Sequence, residues 1–134
     1  MNQEVKNWLE KASNDFKTIE KLMEGSEEDI VTDSVCFHSE QFVEKSLKAF
    51  LINHEIDFKK NHDLVYLVEL CSEIDKDFQE LTDLAKKLTF YAVEIRYPDD
   101  FYMPTLQETK ESIAFVKQVK KFIEKRLILA LGEI

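Results

Sequence analysis

Four polar side chains recur at helical spacing inside a segment, residues 37–52, that is otherwise mostly apolar. They are His38, Gln41, Lys45 and Lys48, and we call them the polar seam. At about 100° per residue in an α-helix, they fall within an arc of roughly 80°. Lysine is a competent ligand for phosphate and histidine titrates near neutral pH, so the seam could bind a phosphate or a carboxylate.

The polar seam also has a structural interpretation in which it binds no ligand. Glu44 and Lys48 form an i,i+4 pair, and Glu40 is a sequence neighbour of Lys45, so both lysines could be neutralised locally. Lys45 and Lys48 would then be solvated ends of a surface helix. His38 would be satisfied by a neighbouring helix. Both interpretations are open at this point.

His62 and Arg96 are two further candidates for anion contact. His62 stands in Asn61-His62-Asp63, where capping of the next helix explains the local sequence as well as ligand binding does. Arg96 is predicted to end the fourth helix, where a cation complements the helix dipole, or else to hold an anion against the polar seam. His38 and His62 stand 24 residues apart without a further ligand cluster, and they predict no metal site.

Familiar catalytic patterns are absent from the sequence. No glycine-rich phosphate loop, GxSxG elbow or HExxH pair occurs, and the acids after Gly25-Ser26 do not match a nucleotidyltransferase. Asp99 and Asp100 are adjacent loop acids, which favours solvation over acid/base work. The sequence therefore predicts no cofactor and no complete catalytic set.

Composition predicts one helical domain over residues 1–134, with 44% hydrophobic and 34% charged residues and only two glycines. A net charge of −9 argues against binding of long nucleic acid by phosphate neutralisation. Cys36 and Cys71 have no CxxC spacing and are predicted to be buried free thiols in a reducing compartment. The charged start and the lack of a membrane-length apolar run predict a cytoplasmic protein.

Hydrophobic periodicity predicts five helices in an all-α, up-and-down antiparallel bundle. Helices one, two, four and five are the expected main staves, and the third is shorter. Thr105 and Glu108 predict a capping box at the start of the last helix. The expected spans are about 3–24, 32–54, a third ending near 75, 77–96 and 105–131.

Several of these residues, in this order, resemble the HEPN domain, a name that stands for "higher eukaryotes and prokaryotes nucleotide-binding". The resemblance runs from about residue 5 to 125. It is carried by Trp8, Lys11-Ala12 and Asp15; Phe37-His38, Gln41, Glu44-Lys45, Leu47-Lys48-Ala49 and Leu51; His62-Asp63-Leu64 and Leu67; and Tyr91 and Arg96-Tyr97-Pro98.

The resemblance implies an all-α bundle, frequent homodimerisation, and pairing with a separately encoded minimal nucleotidyltransferase in toxin–antitoxin-like arrangements. Many HEPN proteins are metal-independent ribonucleases that carry an Arg followed four to six residues later by a His. Arg96 matches that Arg, but residues 101–103 read Phe-Tyr-Met, so the His is missing. Tyr102 is a poor substitute for this acid/base group, because an ordinary phenol stays protonated far above neutral pH.

The leading hypothesis is a non-catalytic HEPN protein that dimerises, partners a nucleotidyltransferase and binds a nucleotide or phosphate group. One alternative is a ribonuclease that uses Arg96 with His38 or His62 as a relocated base. Another is a structural dimer whose seam is only an interface. The predicted nucleotide or phosphate contacts are His38, Gln41, Lys45, Lys48, His62 and Arg96.

Overall fold

A computed structural model describes residues 2–93 and 101–127 of the chain. Within these ranges no residue lies in a β-strand, and the predicted all-α class is confirmed. Short 3-10 turns occupy Glu27–Asp29 and Lys76–Leu81. The α-helices are α1 (Gln3–Leu22), α2 (Thr32–Asn53), α3 (Leu64–Ile74), α4 (Thr82–Tyr91) and α5 (Leu106–Leu127).

Helix α2 is the centre of the bundle and packs against all four other α-helices. Its antiparallel neighbour is α1. The Phe16 ring lies 5.8 Å from the Phe42 ring. The Trp8 ring, nearer the start of α1, lies 5.3 Å from the ammonium of Lys48, which is nearer the end of α2. Residue numbers thus rise along one helix as they fall along the other.

Helices α4 and α5 complete the up-and-down order of the bundle around α2. Phe78 packs between Phe50 and Phe122, with ring centroids 4.7 and 5.4 Å away. Near the other end of the bundle, the Cys36 sulfur lies 3.6 Å from the Ser112 hydroxyl. Helix α5 therefore runs parallel to α2. The fourth stave, which begins at the 3-10 turn, runs antiparallel to both.

The core explains why most of the circumference of α2 is apolar. Phe42, Leu47 and Leu51 on α2 are fully buried, because neighbouring helices cover α2 on several sides. Each such side chain stabilises the fold by roughly 1.5–3 kcal/mol through burial. Cys36 and Cys71 are also buried and free, as predicted, and burial raises the pKa of both thiols.

Local sequence accounts for the starts of α3 and α5. Asp63, rather than Asn61, caps α3, accepting hydrogen bonds from the backbone N–H groups of Val65 and Tyr66 at 3.0 and 3.2 Å. The predicted capping box is present: the Thr105 hydroxyl accepts from the Glu108 N–H, and the Glu108 carboxylate accepts from the Thr105 N–H, both at 3.0 Å.

The fourth helix is the one whose extent differs from the sequence prediction. It was expected from residue 77, but Lys76–Leu81 form a 3-10 turn and α4 begins at Thr82. Phe78 and Leu81 are both buried, and a spacing of three residues places them on one side of a 3-10 turn. Helix α4 ends at Tyr91, and the expected end at Arg96 lies outside the described residues.

Within the described ranges, no helix combines the length and the apolar character that a membrane crossing requires.

Candidate functional site

Two side chains of the polar seam converge on one carboxylate from α1. The Lys45 ammonium lies 2.6 Å from Asp15 Oδ2, and His38 Nδ1 lies 3.0 Å from Asp15 Oδ1. Positions 38 and 45 are two turns apart on α2, so their side chains lie on the same face and approach Asp15 together. We call these three residues the Asp15 cluster.

The next turn of α2 carries a second cluster around Glu44. The Lys48 ammonium lies 3.1 Å from Glu44 Oε2, and His62 Nδ1 lies 2.9 Å from Glu44 Oε1. The Lys48 side chain is only 7% exposed, and its ammonium also lies 5.3 and 5.7 Å from the ring centroids of Trp8 and Phe58. Glu44, Lys48 and His62 form what we call the Glu44 cluster, whose lysine is enclosed by aromatic rings.

Glu40 lies one turn before Glu44 and is buried, and no cation in the described part of the chain pairs with it. Gln41 Nε2 donates a hydrogen bond to Glu40 Oε2 at 2.9 Å. The other oxygen, Oε1, is buried and has no hydrogen-bond partner within the described part of the chain. Burial first, and then the negative charge of Glu44, raise the pKa of Glu40 from 4.5 to about 8.

The raised pKa of Glu40 means that the group is mainly a neutral carboxylic acid at pH 7. A protonated Glu40 can donate a hydrogen bond toward Glu44, and that contact contributes to the upward shift of the pKa. Once the proton leaves, two carboxylates face each other and neither can donate.

An open cleft of about 420 Å³ lies between the first half of α2 and the end of α4. It combines apolar walls with a few polar groups, which is the usual character of a small-molecule site. The described residues include no group of three or more His, Cys, Asp or Glu that could hold a metal ion. The lining residues are Phe37, Glu40, Gln41, His62, Thr89, Ala92 and Val93.

The structure divides the predicted anion contacts into separate sites. His38 and Lys45 belong to the Asp15 cluster, whereas Lys48 and His62 belong to the Glu44 cluster. Gln41 is bound to Glu40 and lines the cleft. Arg96 lies outside the described residues.

The structural interpretation of the seam is correct in one pair and wrong in another. Glu44 and Lys48 do pair, as their i,i+4 spacing indicates. Glu40 and Lys45 do not neutralise each other, because residues five apart lie about 140° apart around a helix. Lys45 is not a solvated helix end either, since its side chain is 18% exposed and bound to Asp15.

Sequence reasoning missed Asp15 as the partner of His38 and Lys45, and it missed Glu40 as a site residue. A signal for Asp15 was present: it follows Ala12 by three residues and precedes Ile19 by four, which places a carboxylate on the buried face of α1. A charge at such a position requires a partner. No local signal distinguishes Glu40 from the other acids of α2.

A second candidate surface lies where α4 ends and α5 begins. Phe90, Val93, Phe101 and Met103 are exposed there, and Phe101 is the most exposed of them at 71%. Tyr102 holds this region together: its ring lies 5.1 Å from that of Phe90, and its hydroxyl donates to the Glu108 carboxylate. We call the four exposed residues the apolar end patch.

The fold and these contacts define an all-α bundle whose central helix carries paired, partly buried charges. Comparison with protein families gives a match of the HEPN domain to residues 5–126. The chain belongs to the HEPN family, and the resemblance read from its motifs is confirmed. No curated protein and no solved structure matches the chain.

Proposed function

We propose that this chain is a non-catalytic HEPN protein that dimerises through the apolar end patch and partners a minimal nucleotidyltransferase. The observation that carries the proposal is the chemistry of residues 101–103. HEPN ribonucleases place a His at this distance from their Arg, whereas this chain has exposed Phe101 and Met103 there. Exposed apolar side chains suit an interface and supply no acid or base.

A second copy of the chain is the occupant that we propose for the apolar end patch. HEPN domains commonly dimerise. Each copy carries a net charge of −9, so two copies repel each other at long range. An apolar contact surface can overcome that repulsion through burial, whereas an acidic surface cannot. The nucleotidyltransferase would then bind the assembled dimer.

The dimer is tested by measuring the mass of the protein in solution by light scattering at micromolar concentration. We expect the wild type to be a dimer and Phe101→Asp to be a monomer. Val31→Asp is the matched control, because Val31 is also exposed, at 50%, but is not part of the apolar end patch. A monomeric wild type, or a Phe101→Asp variant that stays dimeric, would contradict the proposed interface.

The partner is tested by affinity purification of the tagged protein. Recovery of a nucleotidyltransferase with the wild type, and its loss with Phe101→Asp, would support the proposed partner.

We also propose that the polar seam binds the phosphate of a nucleotide, with His38 and Lys45 as the main contacts. These two side chains are 30% and 18% exposed, whereas Lys48 is enclosed. Gln41 and His62 would contact the remainder of the ligand from the cleft side, and Arg96 is the further proposed anion contact. Since Asp15 already pairs with Lys45, phosphate binds as a second anion, and the affinity should be weak and sensitive to salt.

Nucleotide binding is tested by titrating AMP into the protein and following the backbone amide signals by NMR. We expect saturable shifts around residues 38–45 that Lys45→Met removes. Lys17→Met, an exposed lysine of α1, is the control. Absence of saturable binding at millimolar AMP would overturn the nucleotide site and leave the dimer proposal intact.

Ribonuclease activity is a second candidate function, because His38 and His62 each bind a carboxylate through Nδ1. Such a contact can orient an imidazole as a general base. The test is incubation with total RNA in EDTA beside an Arg96→Ala variant. We expect intact RNA in both samples. Cleavage by the wild type that Arg96→Ala abolishes would replace the non-catalytic proposal with the ribonuclease.

A further inference from the structure

The charges around Glu40 do not balance once its proton is lost. Asp15 is matched by Lys45, and Glu44 is matched by Lys48. Among the described residues, ionised Glu40 is then a surplus carboxylate. The residue is only 8% exposed, and its Oε1 atom has no hydrogen-bond partner among the described residues. A buried carboxylate of this kind is costly unless a cation joins it.

Two polar groups beside Glu40 in the cleft each use a donor within the protein. Gln41 Nε2 donates to Glu40, and the Thr89 hydroxyl donates to the backbone carbonyl of Ala85 at 2.9 Å. Gln41 keeps one N–H donor. The other polar groups that these side chains offer are acceptors: the Glu40 carboxylate, the Gln41 amide oxygen and the lone pairs of Thr89. The cleft is therefore complementary to a ligand rich in donors.

The apolar lining of the cleft narrows the ligand class further. Phe37, Ala92 and Val93 form its walls. An aromatic ring attracts an organic cation, and aliphatic walls accommodate a hydrocarbon stem behind the charged head. A volume of about 420 Å³ accommodates a ligand of this size.

We propose that the cleft between α2 and α4 binds an organic monocation, a guanidinium or ammonium head on a short aliphatic stem, with Glu40 as its counter-ion. A guanidinium has five donors and no acceptor, which matches the acceptors that line the cleft. The proposal goes beyond dimerisation and nucleotide binding, and it rests on neither.

Binding of the cation exchanges it for the proton of Glu40. The charged or titratable groups that face Glu40 are Glu44 and Lys48 on α2 and His62 before α3, while α4 contributes the uncharged Thr89. Because burial and Glu44 raise the pKa of Glu40 to about 8, most of the protein is in the protonated form at pH 6.5. Only the ionised fraction binds, so affinity should increase roughly tenfold or more between pH 6.5 and 8.5.

The experiment is calorimetric titration of the full chain with butylguanidinium at pH 6.5 and 8.5. The neutral isostere butylurea serves as the ligand control. We expect butylguanidinium to bind more tightly at pH 8.5 than at pH 6.5, and butylurea to show no comparable binding. We expect proton release on binding at pH 7.5, measured as a binding enthalpy that changes with the ionisation enthalpy of the buffer. Glu40→Gln should weaken binding at pH 8.5 at least about tenfold and remove the pH dependence. Glu20→Gln, an exposed acid of α1, should bind like the wild type.

The proposal is overturned by absence of butylguanidinium binding at millimolar concentration, by equal binding of butylurea, or by unchanged affinity in a folded Glu40→Gln variant. Should Glu40→Gln unfold, Gln41→Leu supplies the second test, since it removes the amide acceptor, together with the amide donor to Glu40, but leaves the carboxyl in place. We expect several-fold weaker binding in that variant, and unchanged affinity would contradict the assigned contacts. Both proposals use Gln41, and an AMP titration that responds to Lys45→Met but not to Glu40→Gln would show that nucleotide binding does not depend on Glu40.

Discussion

Asp15 and Glu40 are buried to nearly the same extent, 7% and 8% exposed, yet they have opposite surroundings. Asp15 receives a lysine and a histidine from a neighbouring helix. Glu40 receives one amide hydrogen bond and faces a second carboxylate. Burial alone therefore does not decide whether a carboxylate stabilises or destabilises a fold. The groups that meet it decide, because desolvation is offset only by a partner of opposite charge.

The two carboxylates also suggest different uses of a buried charge. The Asp15 cluster ties α1 to α2 through two contacts on one side chain. Within the described residues Glu40 contributes no comparable tie between helices, and its side chain lines a cleft. Buried groups with a perturbed pKa next to a cleft are candidates for function, whereas buried ion pairs between helices are more often structural.

The largest effect on the free energy of unfolding is expected at Glu40, and it depends on pH. The pKa of Glu40 is about 8 in the folded protein and near 4.5 in the unfolded chain, so the folded state holds more protons between these values. The free energy of unfolding should fall as pH rises from about 4.5 to about 8 and then level off, by roughly 3–5 kcal/mol in total. Glu40→Gln should lack this loss and should be the more stable protein at pH 9.

Urea unfolding of wild type and Glu40→Gln at pH 5, 7 and 9 measures this difference. Glu20→Gln is the control, because an exposed acid should change stability by less than about 0.5 kcal/mol. If the free energy of unfolding depended on pH in the same way in wild type and Glu40→Gln, the proposed difference between Asp15 and Glu40 would be contradicted.

A smaller loss is expected at Asp15. Asp15→Asn leaves the Lys45 ammonium, 18% exposed, without its carboxylate, and we expect stability at pH 7 to fall by about 2 kcal/mol. Lys45→Met in the Asp15→Asn background should recover part of that loss, since it removes the stranded charge. Denaturant midpoints of the two single variants and the double variant measure the coupling. Purely additive effects would mean that the pair contributes nothing to stability.

The smallest effect is expected at Glu108, a third carboxylate that is bound by local groups. The Thr105 backbone N–H and the Tyr102 hydroxyl lower the pKa of Glu108, so its contribution is present near neutral pH and is lost as pH falls through the folded-state value. Glu108→Ala should cost about 1 kcal/mol at pH 7, and Glu108→Gln less, because glutamine also completes a capping box. Thermal unfolding of wild type and the Glu108 variants at pH 7 and pH 3 tests this prediction. An equal loss of stability at both pH values would contradict it.

Local patterns were sufficient for the fold class and for most helix ends. The stripe of Val5, Leu9, Ala12 and Ile19 predicts α1 and its buried face, and the capping box predicts the start of α5. The 3-10 turn before α4 was not predicted, because buried residues three apart fit either a 3-10 turn or an α-helix. The HEPN family was predicted from the order of short motifs and is confirmed by the family match.

The sequence by itself determined that His38, Gln41, Lys45 and Lys48 share one face of a helix, since that follows from 3.6 residues per turn. Only the tertiary structure decided which carboxylate each of these side chains meets. That choice depends on the rotation and axial position of α1 against α2, which places Asp15 at His38 and Lys45 and leaves Glu40 Oε1 unpartnered in the described residues. Contacts between residues far apart in the chain arise from packing, and no local periodicity specifies them.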